Sequence, residues 1–125
     1  VGVIALDSDG LMVTATSTGG CSNRPAGRIG DVPLPGSGFW VESDIAVAAT
    51  GIGEAITREI LSHRVHGWIS RDGMPMEHAF EKVIKTRFDK STEVGLIGMS
   101  GDGSCVARAN TNMPWASWDS DGIRG

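Results

Sequence analysis

The chain has 125 residues, 18 glycines, no tyrosine and a formal net charge of −4 at pH 7. That length suffices for one domain with a real core but not for two, so we predict a single domain over residues 1–125. Because the lysines and arginines are scattered and the net charge is negative, we expect no nucleic-acid partner, and no apolar run approaches the length of a membrane span.

The first predicted elements are a β-hairpin, a long loop and a short strand. Residues 1–7 read as a strand, Ser8-Asp9-Gly10 as a tight turn, and residues 11–18 as the returning strand, rich in valine and threonine. Residues 19–44 carry the glycines and prolines of a loop, and loops of that length in a compact domain are commonly functional. A buried strand over residues 45–50 follows.

Two helices and a second hairpin complete the predicted chain. One helix opens near Gly51 and ends near Ser70, and a second runs from Pro75 to about Phe88. Residues 94–99 and 105–109 read as a strand pair. We therefore predict an α+β fold, an antiparallel sheet with helices on one side. The first strand is apolar on both faces, so it needs more cover than two helices supply, and a partner chain is expected to provide it.

The cysteines and histidines give no metal pattern. Cys21 and Cys105 lack the spacing of a metal site, which predicts reduced thiols and a cytoplasmic location. His63 and His66 are three residues apart on the first predicted helix, and we predict that they form a solvated surface pair. Neither they nor His78 matches a metal motif, so we predict no metal site and no cofactor.

The first hairpin brings hydroxyl groups to the beginning of the chain. Either register of its short turn sets Thr18 opposite Val1 or opposite the position just before it. The hydroxyls there could act on an N-terminal group. The alternative is that these threonines are present because threonine favours strands.

A strand end, glycines and a helix start meet in Thr50-Gly51-Ile52-Gly53-Glu54. Thr50 could be an N-cap followed by glycines that allow close packing. The functional alternative is an oxyanion hole formed by the Thr50 hydroxyl and the Gly51 N–H, because amides at a helix start favour negative charge.

Arg28 and Asp31 lie three residues apart on a glycine- and proline-rich loop. An amino-acid substrate is a zwitterion, whose carboxylate suits a forked guanidinium and whose ammonium suits a carboxylate. The two side chains could therefore clamp both ends of such a headgroup. A local ion pair that fixes the loop explains them equally well.

These segments together resemble the β-subunit of the plant-type asparaginase/isoaspartyl aminopeptidase family of N-terminal-nucleophile hydrolases. The resemblance covers residues 1 to about 60 and weakens beyond. The matching text is Thr16-Ser17-Thr18-Gly19-Gly20, Gly27-Arg28-Ile29-Gly30-Asp31 and Thr50-Gly51-Ile52-Gly53-Glu54, after Val1-Gly2 at the start.

The resemblance implies a catalytic threonine immediately before Val1, freed by self-cleavage of a precursor. That residue would be the nucleophile, with its own α-amine as the base, and this chain does not contain it. The other implied roles fall on Thr18 (orienting the nucleophile), Arg28 and Asp31 (binding the α-carboxylate and α-amine), Thr50 and Gly51 (oxyanion donors) and Gly53 (lining the substrate site).

The resemblance also implies an assembly and a reaction. The chain would form half of a four-layer αββα sandwich completed by an α-subunit from the same precursor, usually in a dimer of heterodimers. The implied substrates are L-asparagine and β-aspartyl peptides, hydrolysed without a metal or redox cofactor.

Three alternatives remain open at this point. A glycosylasparaginase shares every motif that is present. A threonine aspartase is disfavoured by Asp31, which relatives of that type lack. A non-enzymatic amino-acid-binding relative would keep the clamp of Arg28 and Asp31 and lack the nucleophile.

Overall fold

A computed structural model describes residues 1–42 and 44–125. Its strands and helices follow one another in the order β1 (Gly2–Leu6), β2 (Met12–Thr16), β3 (Phe39–Val41), β4 (Ile45–Gly51), α1 (Gly53–Glu59), α2 (Leu61–Ser70), α3 (Met76–Thr86), β5 (Val94–Ser100), β6 (Cys105–Ala109), β7 (Ser117–Asp119) and β8 (Gly122–Arg124). The α+β class and the antiparallel pairing are confirmed, but the single sheet that was predicted is three sheets among the described residues, one of four strands and two of two strands, because the first hairpin packs on the central sheet instead of joining its edge.

The centre of the fold is a four-stranded antiparallel sheet in the order β3-β4-β5-β6. In β4, side chains alternate between the two faces of the sheet. Ile45, Val47 and Ala49 join the main core with the helices, while Ala46 and Ala48 are buried on the other face. A strand covered on both sides explains why β4 is almost wholly apolar.

Helices cover one face of this sheet. Helix α2 contacts β3 and β4, and α3 contacts β5 and β6. Phe80 of α3 is completely buried, and the backbone of β5 lies close beneath it at Gly98. A Cβ at Gly98 would lie 2.6 Å from Phe80 Cζ and 2.7 Å from Met76 Sδ. The glycine therefore allows α3 to lie tightly against the sheet.

The hairpin of β1 and β2 lies against the other face. Its register pairs Gly2 with Thr16 and Leu6 with Met12, and a Cβ at Gly2 would lie only 3.2 Å from Ala48 Cβ. The side chains on the outer face of the hairpin are exposed; they are Val3, Ala5, Val13 and Ala15. The first strand is thus covered on one face in this chain and bare on the other.

Several predicted boundaries were wrong. The single helix predicted from Gly51 to Ser70 is two helices, separated by Ile60 in the left-handed region at φ 46°. The predicted loop over 19–44 contains β3, and the tail contains the small hairpin of β7 and β8. These strands have three residues each, too few to give a clear alternation in the sequence.

The predicted surface pair of histidines was half wrong. His63 is exposed, but His66 is only 4% exposed, because α2 presents it to the sheet rather than to solvent. Among the described residues, none of the helices is long and apolar enough to cross a membrane.

Candidate active site

The register of the first hairpin determines what lies at the beginning of β1. The Val1 ammonium donates to the Ser17 carbonyl at 2.8 Å, and the Ser17 N–H donates back to the Val1 carbonyl at 2.8 Å. Continuing this pairing sets Thr18 opposite the position that would precede Val1, the second of the two predicted registers. The Thr18 hydroxyl accepts a hydrogen bond from the Gly20 N–H at 2.9 Å, which holds it at this edge.

A pocket of about 410 Å³ opens where β1 crosses the end of β4. Its lining includes Val1, Gly2, Thr50 and Gly51, together with Glu93 and the tail segment 111–116. The predicted oxyanion donors and the first residue of the chain are therefore neighbours in space, although about fifty positions separate them in the sequence.

Thr50 is not a helix cap. The N-cap of α1 is Ile52, which makes no side-chain capping bond, and Thr50 is the penultimate residue of β4, paired with Gly95. Its exposed hydroxyl donates to no other residue in the described part of the chain. The capping interpretation of Thr50 is therefore wrong, and its hydroxyl is available to a ligand.

Gly51 is required by the backbone. Its φ of 140° lies in a region that side chains rarely adopt, and an added Cβ would collide with the Glu93 carbonyl oxygen. The chain turns here so sharply that only glycine fits. This turn leads from the pocket to the start of α1.

Arg28 and Asp31 converge on that same helix start. A Cβ at Gly53 would lie 2.8 Å from Arg28 Nη2 and 2.8 Å from Asp31 Oδ1, so both side chains lie against a backbone that has no side chain of its own. They are not, however, an ion pair with each other. Arg28 instead makes a two-bond pair with Glu54, from Nε to Oε1 at 2.7 Å and from Nη2 to Oε2 at 3.0 Å. The interpretation of Arg28 and Asp31 as a simple local ion pair is wrong.

The two carboxylates beside Arg28 have opposite pKa shifts. The hydrogen bonds from Arg28 lower the pKa of Glu54 to about 2. Burial raises the pKa of Asp31 above its ordinary value, although Arg28 partly opposes that shift. Asp31 is 5% exposed, and its Oδ2 is buried with no hydrogen-bond partner among the described residues. A buried carboxylate oxygen without a donor is a ready acceptor for a cationic ligand.

Sequence reasoning gave no role to Glu54 or to the tail. Glu54 was visible as an acidic residue in the first turn of α1, but nothing linked it to Arg28, 26 positions away. Asn110 anchors the tail by accepting from the Val94 N–H at 2.8 Å and donating to the Thr92 carbonyl at 2.9 Å. No sequence signal predicts that the segment after Asn110 lines the pocket.

The chain is similar to a defined set of known proteins. A family model described as "Asparaginase" matches residues 1–124. The plant-type L-asparaginase of Pyrobaculum calidifontis is 41% identical over 98% of this chain. The probable isoaspartyl peptidase/L-asparaginase 2 of Arabidopsis thaliana is 39% identical over 90% of it, and the isoaspartyl peptidase of Escherichia coli is 33% identical over 94%.

The match covers only part of each relative. The chain spans 42% of the Pyrobaculum protein, 34% of the Arabidopsis protein and 37% of the Escherichia coli protein. The similarity extends well past residue 60, although the short family motifs are concentrated before that residue.

Proposed function

The chain belongs to the asparaginase family, and from this premise we propose that it is the part of an amidohydrolase that binds and polarises the substrate. The substrates are L-asparagine and β-aspartyl peptides, as the names of the relatives suggest. The observation that carries the proposal is the buried, unpartnered Oδ2 of Asp31 beside a guanidinium oriented by Glu54.

The clamp binds the amino-acid headgroup at the start of α1. Glu54 engages Nε and Nη2 of Arg28, which fixes the plane of the guanidinium and leaves Nη1 for the substrate carboxylate. Asp31 Oδ2 accepts from the substrate ammonium, which replaces the donor that the protein does not supply. Gly53 keeps the space between the two groups free of a side chain.

The Thr50 hydroxyl and the Gly51 N–H stabilise the oxyanion of the tetrahedral intermediate.

The nucleophile is a threonine immediately before Val1. Its hydroxyl attacks the side-chain amide carbon and passes its proton to its own α-amine. The amine then protonates the leaving ammonia or peptide amine, and an acyl-enzyme ester remains. Water hydrolyses the ester, releases aspartate and restores the hydroxyl. Thr18, opposite that position in the hairpin register, orients the nucleophile.

The catalytic unit contains a further subunit. With helices on one face of the central sheet and the β1–β2 hairpin on the other, the exposed apolar outer face of this hairpin is where the fourth, helical layer of an αββα sandwich would pack. We assign that layer to an α-subunit from the same precursor, in a dimer of such heterodimers.

The proposal is tested by aspartate release from L-asparagine, a β-aspartyl dipeptide and a glycosylated asparagine, using the complete protein. Arg28→Lys keeps the charge but loses the planar guanidinium that bonds Glu54 through Nε and Nη2 while presenting Nη1 to the substrate carboxylate. We therefore expect about 1–3 kcal/mol weaker substrate binding, seen as a higher KM. Arg24→Lys is the matched control, because Arg24 is exposed and forms no ion pair within the described residues.

Three outcomes would change the assignment. Faster hydrolysis of the glycosylated substrate would make the protein a glycosylasparaginase. Binding of asparagine without hydrolysis by the wild type would make it a binding protein. An unchanged KM in Arg28→Lys would remove Arg28 from the clamp.

A further inference from the structure

A second cluster of polar side chains lies at the other end of β4 from Thr50. Glu42, Asp44 and His66 each offer one possible ligand atom, and these three atoms all lie within 4.8 Å of one another. His66 Nε2 lies 3.4 Å from Asp44 Oδ1 and 4.0 Å from Glu42 Oε2. The carboxylates flank the β3–β4 connection and the imidazole comes from α2, so no sequence motif reveals the group.

The imidazole is buried without a partner. His66 is 4% exposed, and its Nε2 is buried with no hydrogen-bond partner among the described residues. Buried side-chain nitrogens in folded proteins are nearly always paired. This nitrogen faces two carboxylates, with Asp44 Oδ1 at 3.4 Å and Glu42 Oε2 at 4.0 Å, so the three groups are close enough to share a cation.

Both carboxylates are oriented toward that nitrogen. The Ser70 hydroxyl donates to Asp44 Oδ2 at 2.5 Å, and the Trp40 indole N–H donates to Glu42 Oε1 at 2.9 Å. One oxygen of each carboxylate is therefore held by a donor, and the other, Asp44 Oδ1 or Glu42 Oε2, faces His66. Supporting hydrogen bonds of this kind orient the ligands of metal sites.

The charge of the cluster fits a divalent cation. Glu42 and Asp44 bring two formal negative charges, one per carboxylate, to the point that His66 faces. Within the described residues, no lysine or arginine lies within 4.0 Å of either carboxylate. The negative charge is thus not neutralised by the protein.

We propose that Glu42, Asp44 and His66 bind a divalent transition metal of the Zn²⁺ class. One imidazole nitrogen and two carboxylate oxygens are a donor set that Zn²⁺ accepts, with a fourth position left for water. Metal–ligand bonds of about 2.0–2.2 Å in a tetrahedral site separate the ligand atoms by about 3.3–3.6 Å. The separation of 3.4 Å between His66 Nε2 and Asp44 Oδ1 lies in this range, and the separation of 4.0 Å between His66 Nε2 and Glu42 Oε2 lies above it, so Glu42 must move closer to bind.

The ion would join the β3–β4 connection to α2. Thr50 lies six residues beyond Asp44 along an extended strand, about 20 Å away at roughly 3.3 Å per residue. The site is therefore structural and separate from the proposed catalytic chemistry, and the two proposals can fail independently.

The test is calorimetric titration of Zn²⁺ into the complete, chelator-treated protein, together with its thermal unfolding. We expect one saturable Zn²⁺ per copy of this chain and a rise in Tm with Zn²⁺. Asp44→Asn and Glu42→Gln should each weaken binding at least tenfold. Both side chains are about half exposed, 49% and 52%, so these variants are expected to fold even if a His66 variant does not.

Two matched controls separate this site from unspecific binding. Asp72→Asn removes an exposed aspartate, and His78→Gln removes an exposed histidine, both outside the cluster. Each control should retain the saturable site. Binding that is absent in the wild type, or equally strong in Asp44→Asn and Asp72→Asn, would overturn the proposal and leave the cluster as a histidine–carboxylate contact.

Discussion

Glu54 holds the guanidinium of Arg28 by two hydrogen bonds, and Gly53 lets that guanidinium and Asp31 approach one backbone position. A long, flexible side chain is thereby fixed before a ligand binds, which reduces the conformational entropy lost on binding. At the residue scale, the candidate clamp thus depends on three supporting features: an acid on the first turn of α1, a glycine beside it and a buried carboxylate.

Thr50→Ala should mainly slow catalysis. Because an oxyanion donor acts on the transition state, we expect turnover to fall roughly 10²–10³-fold with a small change in KM. Stability should hardly change, since the hydroxyl forms no hydrogen bond with another described residue. Steady-state kinetics and thermal unfolding measure the two effects.

Thr86→Ala is the matched control, because its hydroxyl is exposed and bonds only to the backbone of its own helix. A Thr50→Ala variant that turned over normally but unfolded more readily would make Thr50 a structural residue.

Asp31→Asn should stabilise the protein at neutral pH while impairing substrate binding. Because burial raises the pKa of Asp31, its ionised form is the unfavourable one in the folded state. That cost is present at pH 7 and disappears below the ordinary pKa of 3.8. The gain in unfolding free energy should therefore shrink as the pH falls toward 3.8, in urea unfolding curves at several pH values.

Asp9→Asn is the control. Asp9 lies in the exposed first turn, so removing its carboxylate relieves no cost of burial and should not raise the free energy of unfolding. A loss of stability in Asp31→Asn at pH 7 would mean that the ionised carboxylate already has a favourable partner in the protein.

At the scale of elements, contacts between backbones decide how α3 meets the sheet. Gly98 lies beneath Phe80 and Met76 at distances that leave no room for a methyl group. The break at Ile60 similarly redirects the chain from α1 to α2, with the Ile60 N–H bonded to the Thr57 carbonyl at 3.1 Å. The positions of the helices follow from these local fits as well as from apolar periodicity.

Gly98→Ala should destabilise the fold by about 1–3 kcal/mol, because an extra methyl in a packed core forces neighbours to move. Replacing the Phe80 ring with the smaller leucine side chain should relieve part of this cost. We expect the double variant Gly98→Ala with Phe80→Leu to lose less stability than the sum of the two single variants. Unfolding free energies of the four proteins complete the cycle, and strict additivity would show that the methyl does not contact Phe80.

At the scale of the whole molecule, the chain leaves one apolar sheet surface uncovered. The outer face of β1 and β2 consists of valines and alanines, with Val3 56% and Val13 51% exposed. Contiguous apolar faces of this kind generally mark an interface. The chain spans 42%, 34% and 37% of three relatives, so each of those proteins contains further chain beyond the matched part.

Val13→Asp should prevent that layer from docking. A short acidic side chain at the centre of this face would be buried without a partner, and burying such a charge is strongly unfavourable. We expect the complete protein to lose its assembled state in size-exclusion chromatography with light scattering. Ile123→Asp, at a 78% exposed position on β8, should leave assembly intact. Normal assembly of Val13→Asp would show that this face is exposed to solvent.

The sequence by itself determined the elements and residues whose signals are local. The 105–109 strand has the bounds predicted, the antiparallel α+β class follows from the order of elements, and the motifs around Thr18, Arg28 and Thr50 identify the family. Glycine-containing turns, the alternation of apolar and polar residues, and short motifs can all be recognised from the sequence, because each depends only on residues that are neighbours along the chain.

Only the tertiary structure decided which distant groups meet. It paired Arg28 with Glu54 rather than with Asp31, buried His66 beside Asp44, and brought the tail segment 111–116 into the lining of the pocket at Thr50. The physical reason is that such contacts join separate elements, so they depend on the register and packing of the whole sheet, which no local window of sequence contains.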